Sequence, residues 1–177
     1  MVGQPKTTNP AMDDRGSYAN NCQTYEDVYF LCGTTTTKSV KRECTVPDGK
    51  AILMPVICFE YSLLEDTNLK NPHDLLGLAT RDLIKYNKIS AKINGNEITP
   101  GGGIIRIRSP HFTITLPEDN VWGVGNGFTF AAADGYWIFI RDLDPESYDI
   151  TVQAQPSNSE KDSLAIDTTY KVKVGKH

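Results

Sequence analysis

A run of aromatic and β-branched residues, Tyr136-Trp137-Ile138-Phe139-Ile140, leaves this chain few folds to choose from. It is too short for an ordinary helix and apolar on both faces, so it reads as a central β-strand. Asp134-Gly135 stands before it and reads as a turn pair, since both residue types tolerate the angles of a tight reversal. Asp144-Pro145 breaks the chain after Arg141, and the run Tyr148 to Val152 starts a second strand. Tyr148 opens that strand where sandwich folds often place a Tyr whose hydroxyl bonds back to the backbone. A half-exposed strand Tyr would suit the pattern equally well. Turn, strand, corner, strand is the grammar of an antiparallel β-sandwich.

The remaining segments extend that pattern. Asp27 to Cys32 is a short apolar strand, and Gly33 to Thr37 a reversal. Val40, Arg42 and Cys44 alternate with Lys41, Glu43 and Thr45, as in a strand with one face in water. Pro47-Asp48-Gly49 is a turn in which Pro presets one angle and Gly accepts a positive one. Ala51 to Phe59 is the most apolar stretch, yet Pro55 sits inside it. Proline cannot donate to a ladder, so this strand must lie at an edge, carry a bulge or break in two. Ile89, Ala91 and Ile93 precede Asn94-Gly95, a strong hairpin signal. Ile104 to Arg108, His111 to Leu116, Phe128 to Phe130 and Ile166 to Val174 complete about nine strands.

One helix is predicted, over about residues 72–86. Asn71 suits its N-cap and Pro72 its first position. Leu75, Leu76, Ala79 and Leu83 form one apolar stripe, with Asp74, Arg81, Asp82 and Lys85 facing away. Such a helix suits the end of a sandwich. The expected fold is therefore all-β, an immunoglobulin-like or jelly-roll antiparallel sandwich with one short capping helix. Residues 1–21 are rich in Thr, Asn, Pro and Gly and are expected to form a flexible polar arm until Cys22 ties it down, with a single domain over 22–177.

Composition narrows the function classes. A chain of 177 residues fits one domain with a real core. The net charge is −4 with no basic tract, which argues against nucleic acid and anionic membrane partners. The longest apolar run is too short to span a bilayer as a helix. Cys22, Cys32, Cys44 and Cys58 form an even set without the close Cys-x-x-Cys pairs of a zinc site. They predict disulfides, in any of three connectivities, and hence an oxidising compartment. No leader pattern opens the chain, so the expectation of a secreted or cell-surface protein takes the sequence to begin after a removed one.

Chemistry-bearing residues are few. His73, His111 and His177 have no nucleophile elbow to serve, and Gly123 to Gly127 precedes a strand rather than the helix a phosphate loop requires. Glu118, Asp119 and Asn120, with Asp134 if the turns share an end, could offer oxygen ligands to calcium. Asp142, Asp144, Glu146 and Asp149 form a second, weaker acidic group. Trp122, in the glycine-rich loop, offers a platform for a sugar ring.

Three ordered segments carry a family resemblance. Cys44-Thr45-Val46-Pro47-Asp48-Gly49-Lys50-Ala51 leads to Leu53-Met54-Pro55; Ser109 to Asn120 reads SPHFTITLPEDN; and Asp134-Gly135-Tyr136-Trp137 is the third. From about Cys22 to Val174 the chain resembles a family of uncharacterised secreted proteins of bacteria and archaea. The resemblance implies secretion and a β-sandwich, and no particular reaction. Cys32 and Cys58 stand where that pattern has Ala and Asn, which implies a Cys32–Cys58 disulfide and leaves Cys22 with Cys44. The pattern also holds Arg at 106 and Glu at 60, so the resemblance allows Arg106 to bridge to a carboxylate such as Glu60; a solvated charge on the open sheet face is the alternative.

The functional expectation is a non-enzymatic extracytoplasmic module that binds a protein or glycan or assembles with itself, without inserting in a membrane. A calcium- or carbohydrate-binding module built on the loops around residues 118–127 is the second expectation. A small secreted hydrolase is the third, conditional on Glu60 and Arg106 meeting in a buried cleft.

Overall fold

The computed structural model describes residues 2–66, 68–69, 71–98, 103–157 and 165–175. Its strands are β1 (Val28–Phe30), β2 (Val40–Pro47), β3 (Ala51–Ser62), β4 (Tyr86–Ile93), β5 (Asn96–Ile98), β6 (Ile104–Arg108), β7 (Phe112–Leu116), β8 (Gly127–Ile140), β9 (Ser147–Pro156) and β10 (Ile166–Gly175). The helix α1 spans His73–Leu83. One sheet has the order β1-β3-β8-β6, with β7 also on β8; the other has the order β2-β10-β9-β4-β5. The fold is an all-β sandwich with one short helix, as expected. Its sheets are mixed rather than purely antiparallel, because β1 joins β3 and β2 joins β10 in parallel.

The core lies where the two inner faces meet. Ile52, Met54, Ile138, Ile140 and Ile104 from the first sheet are buried with Val46, Ile150, Val152, Tyr170 and Val172 from the second. The second sheet obeys strict alternation: in β10, Tyr170, Val172 and Val174 are buried while Lys171 and Lys173 are exposed. Pro55 is accommodated by a bulge, as the register of β3 against β8 shifts between Pro55 and Ile57. The strand stays whole and lies between β1 and β8.

Asp134-Gly135 is not a turn. Both residues lie inside the fourteen-residue β8, opposite Phe59 and Cys58 of β3. Gly135 is there for space: a Cβ on it would stand 2.8 Å from the Cys58 Cβ and 2.8 Å from the Ile57 carbonyl oxygen. The Asp-Gly signal thus marks a close strand crossing. Tyr148 does form the corner contact, its hydroxyl donating to the Asp144 carbonyl at 3.2 Å. Asn94 (φ 50°) and Gly95 (φ 79°) make the β4–β5 hairpin.

α1 is capped by Asn71, whose side chain accepts from the His73 amide at 3.0 Å. It ends at Leu83, short of the predicted boundary, because Tyr86 already belongs to β4. Leu75, Ala79 and Leu83 are buried in its packing against β3 and β8. Asp82 departs from its expected outward position, being buried and bonded to the Tyr61 hydroxyl and Lys85.

Residues 2–22 make three 3₁₀ turns and are tied to β2 before Cys22 is reached. Arg42 is 1% exposed and donates to the carbonyls of Ala11, Asp13, Cys32 and Gly33 and to the Tyr170 hydroxyl. The Glu43 amide bonds the Arg15 carbonyl at 2.9 Å. The arm is therefore a docked strap.

Candidate functional site

An antiparallel or mixed sheet with one face on a core normally turns polar side chains to water on the other. The β2-β10-β9-β4 sheet does so. An open depression of 680 Å³ on it is lined by Glu43, Thr45, Asn94, Asp149, Lys171 and Lys173. The β1-β3-β8-β6 sheet does the opposite.

The register shows why. Phe30 pairs with Leu53, Leu53 with Phe139, Pro55 with Trp137, and Trp137 with Ile105; Ile107 pairs with Gly135. Paired residues share a face. Val28, Phe30, Leu53, Trp137, Phe139, Ile105 and Ile107 therefore stand together on the outer side, away from the core. Ile105 is 46% exposed, Ile107 40% and Phe139 42%. Phe30, Leu53 and Trp137 are half-buried among them, and Tyr25 lies against Phe30 with ring centroids 5.7 Å apart. α1 does not cover this face, because Thr80 reaches Asp134 on the inner side. Arg141, at the end of β8, lays its guanidinium over the Phe139 ring at 5.8 Å. The arrangement suits flat apolar contact with another surface.

The strands that build this face were visible in the sequence as apolar runs, and Ile105 and Ile107 as one side of β6. That the described residues leave the second side of the sheet uncovered was not.

The predicted site residues fall elsewhere. Arg106 does not meet Glu60. Its Nε and Nη2 donate to the two carboxylate oxygens of Asp134 at 2.9 and 2.6 Å, with Arg108 adding a bond at 3.2 Å and Thr80 one at 2.8 Å. Glu60 pairs with Ala133 in register and so faces the other side of the sheet. Its two carboxylate oxygens are buried without a hydrogen-bond partner among the described residues. Burial first, then the neighbouring Glu65 charge, pushes its carboxyl up to about 8, and the nearby Trp122 indole offsets this in part. The condition for the hydrolase reading is unmet.

Asp134 is fully buried and bound to its two arginines, whereas Glu118 and Asp119 are exposed. Asp119 accepts from the Thr7 amide at 3.1 Å, and Asn120 closes its own loop through Pro117, Trp122 and Val124. The structure does not bring this quartet together. No group of three or more His, Cys, Asp or Glu side chains that could hold a metal exists among the described residues. Asp142, Asp144, Glu146 and Asp149 are exposed around the β8–β9 corner. Trp122 is 40% exposed in its loop. His73 and His111 meet edge to face at 4.8 Å, and His177 lies outside the described residues.

All four cysteines are free, which corrects the disulfide expectation. β1 ends at Phe30, level with Leu53, so Cys32 lies just past the strand while Cys58 is five residues further along β3. Burial pushes the Cys32, Cys44 and Cys58 thiols up to about 12, marking them as packing groups rather than nucleophiles. With no bridge present, the cysteines carry no sign of an oxidising compartment.

No protein-family model matches the chain, and no curated protein matches it. A solved structure that aligns with it is the cysteine protease inhibitor EhICP2 from Entamoeba histolytica, over 83% of this chain and 95% of that one, at 13% identity and a TM-score of 0.30. An alignment of that size carries no inference about partner or activity. No helix among the described residues is long and apolar enough to cross a membrane.

Proposed function

We propose that the chain is a non-enzymatic binding or assembly module whose working surface is the outer face of the β1-β3-β8-β6 sheet. One observation carries this reading: Ile105, Ile107 and Phe139 are exposed side by side on a face that a folded sandwich has no internal reason to make apolar. Each exposed apolar group keeps a transfer free energy of about 25 cal/mol per Å² in reserve for a partner that removes it from water. Sheet-borne side chains are also held rigid by the ladder, so little ordering entropy opposes docking.

The test places a photo-crosslinking amino acid at position 105 and, as a control, at position 171 on the polar sheet. Crosslinked polypeptide from position 105 and not from position 171 is the expected result. Equal yields, or none from position 105, would overturn the reading.

A further inference from the structure

In an inference that rests on the reading above, the apolar face points to its partner through the free edge of β6. This strand is the last on its path and pairs with β8 alone. The Ser109 amide donates to the Ala133 carbonyl at 2.9 Å, in phase with the pairs Ile107↔Gly135 and Ile105↔Trp137. Bonded and non-bonded pairs alternate in an antiparallel ladder, so Ile105 and Ile107 bond to β8. The amides and carbonyls of Ile104, Arg106 and Arg108 therefore point the other way. No backbone group outside the ladder bonds to Arg106 or Arg108 among the described residues. Arg106 is exposed as a residue although its side chain is only 29% accessible, so its main chain faces water.

The other terminal strands are short or covered. β1 and β5 have three residues each, and the Arg15 carbonyl bonds to β2 at Glu43. Beside β7, a Cβ on Gly3 would stand 3.4 Å from the Thr115 carbonyl oxygen.

The side chains of β6 specify what would lie beside it. Ile105 and Ile107 are exposed on the outer face. Arg106 and Arg108 stand on the inner face and share the single carboxylate of Asp134, which leaves one positive charge over. Arg108 carries it at the rim, with its side chain 55% accessible and only Nε bonded. Residues opposite one another in a sheet share a face, so an added strand must alternate in the same way.

We infer that the free edge of β6 takes up an extended segment of another polypeptide as an added strand, with apolar side chains beside Ile105 and Ile107 and carboxylates beside Arg106 and Arg108. Main-chain bonds supply the affinity of such a strand, and its alternating side chains the specificity. A second copy of this chain does not fit. Two β6 strands paired antiparallel over their full length set Arg106 against Arg106, and like charges directly opposite are destabilising.

The test is fluorescence anisotropy of a short labelled peptide of alternating Val and Glu, titrated with the full chain to about 1 mM. Saturable binding is expected. Replacing Glu by Gln in the peptide should weaken it about tenfold, and Arg108→Gln should weaken the Glu peptide while leaving the Gln peptide unchanged. Methylating the peptide amides at every second position should abolish binding in one phase and be tolerated in the other, because only one set of amides meets β6. A Glu peptide that does not bind, equal effects of the two methylation phases, or equal effects of Arg108→Gln on both peptides would each overturn the proposal. If the peptide fails while a crosslinker at position 105 captures a polypeptide, the added strand is refuted and the binding reading stands. If position 105 captures nothing as well, both fall.

Discussion

Arg106 and Asp134 form a bidentate pair across neighbouring strands, with Nε on Oδ1 at 2.9 Å and Nη2 on Oδ2 at 2.6 Å. Asp134 is fully buried, between β6 and the inner side of α1. Burial raises its pKa, but the bonds from Arg106 and Thr80 and the Arg106 charge outweigh that and hold the carboxyl below its usual range. Removing the guanidinium would leave a buried charge with weaker partners. Arg106→Ala should cost about 3 kcal/mol, and Arg108→Ala, whose side chain is half exposed, less than about 1 kcal/mol. Urea unfolding of the two variants checks the ranking; equal losses would contradict it. Because the Asp134 pKa is depressed, this stabilisation is present above its unfolded value and lost as pH falls through the folded one.

Glu60 has the opposite sign. Its folded pKa is raised to about 8, so the protonated form is the one the fold prefers. The stability it contributes is complete below its unfolded value and is lost as pH rises from there through about 8. The loss is on the order of 4 kcal/mol at alkaline pH. Glu60→Gln should therefore raise the melting temperature at pH 8 and leave it nearly unchanged at pH 4. Glu65, also raised by burial, retains a smaller slope in the variant. A variant as pH-sensitive as the parent would contradict the assignment.

Gly135 separates two explanations of one sequence motif. If Asp134-Gly135 were a turn, a Cβ would be opposed by the backbone angle; in mid-strand it is opposed by β3. Gly135→Ala should cost roughly 2–3 kcal/mol through overpacking. Trimming the obstacle with Cys58→Ala in the same chain should not rescue it fully, because the Ile57 carbonyl is equally close. A double-mutant cycle by chemical denaturation reads this.

The free thiols give a chemical test. Four reactive cysteines should be counted by thiol titration after unfolding in denaturant without reductant. In the folded protein, alkylation at pH 8 should be slow at Cys32, Cys44 and Cys58, whose thiols are pushed up to about 12. A count of two or none would restore a disulfide.

Tyr148→Phe isolates the corner. Losing the hydroxyl bond to Asp144 should lower the stability slightly while leaving the shape of the ring unchanged. A thermal melt with no change would make the hydroxyl incidental.

What the chain determined by itself is local: strand periodicity, the Asn94-Gly95 hairpin, the Pro55 bulge among its alternatives, the Asn71 cap and the corner at Tyr148. Each depends on residues a few positions apart, whose steric preferences act whatever the rest does. Tertiary structure decided the pairings across distance. Arg106 chose Asp134 over Glu60 because the two candidates lie on opposite faces of the sheet, a matter of register that one bulge in β3 alters. Cys32 lies just past β1 and Cys58 within the neighbouring β3, and parallel registration separates them. Most of all, Tyr136 to Ile140 is apolar on both sides, which reads as a strand covered twice. In the sequence, a second covering layer and an uncovered binding face look the same. Only the packing of α1 on the inner side, and of nothing among the described residues over Ile105, Ile107 and Phe139, separates the two.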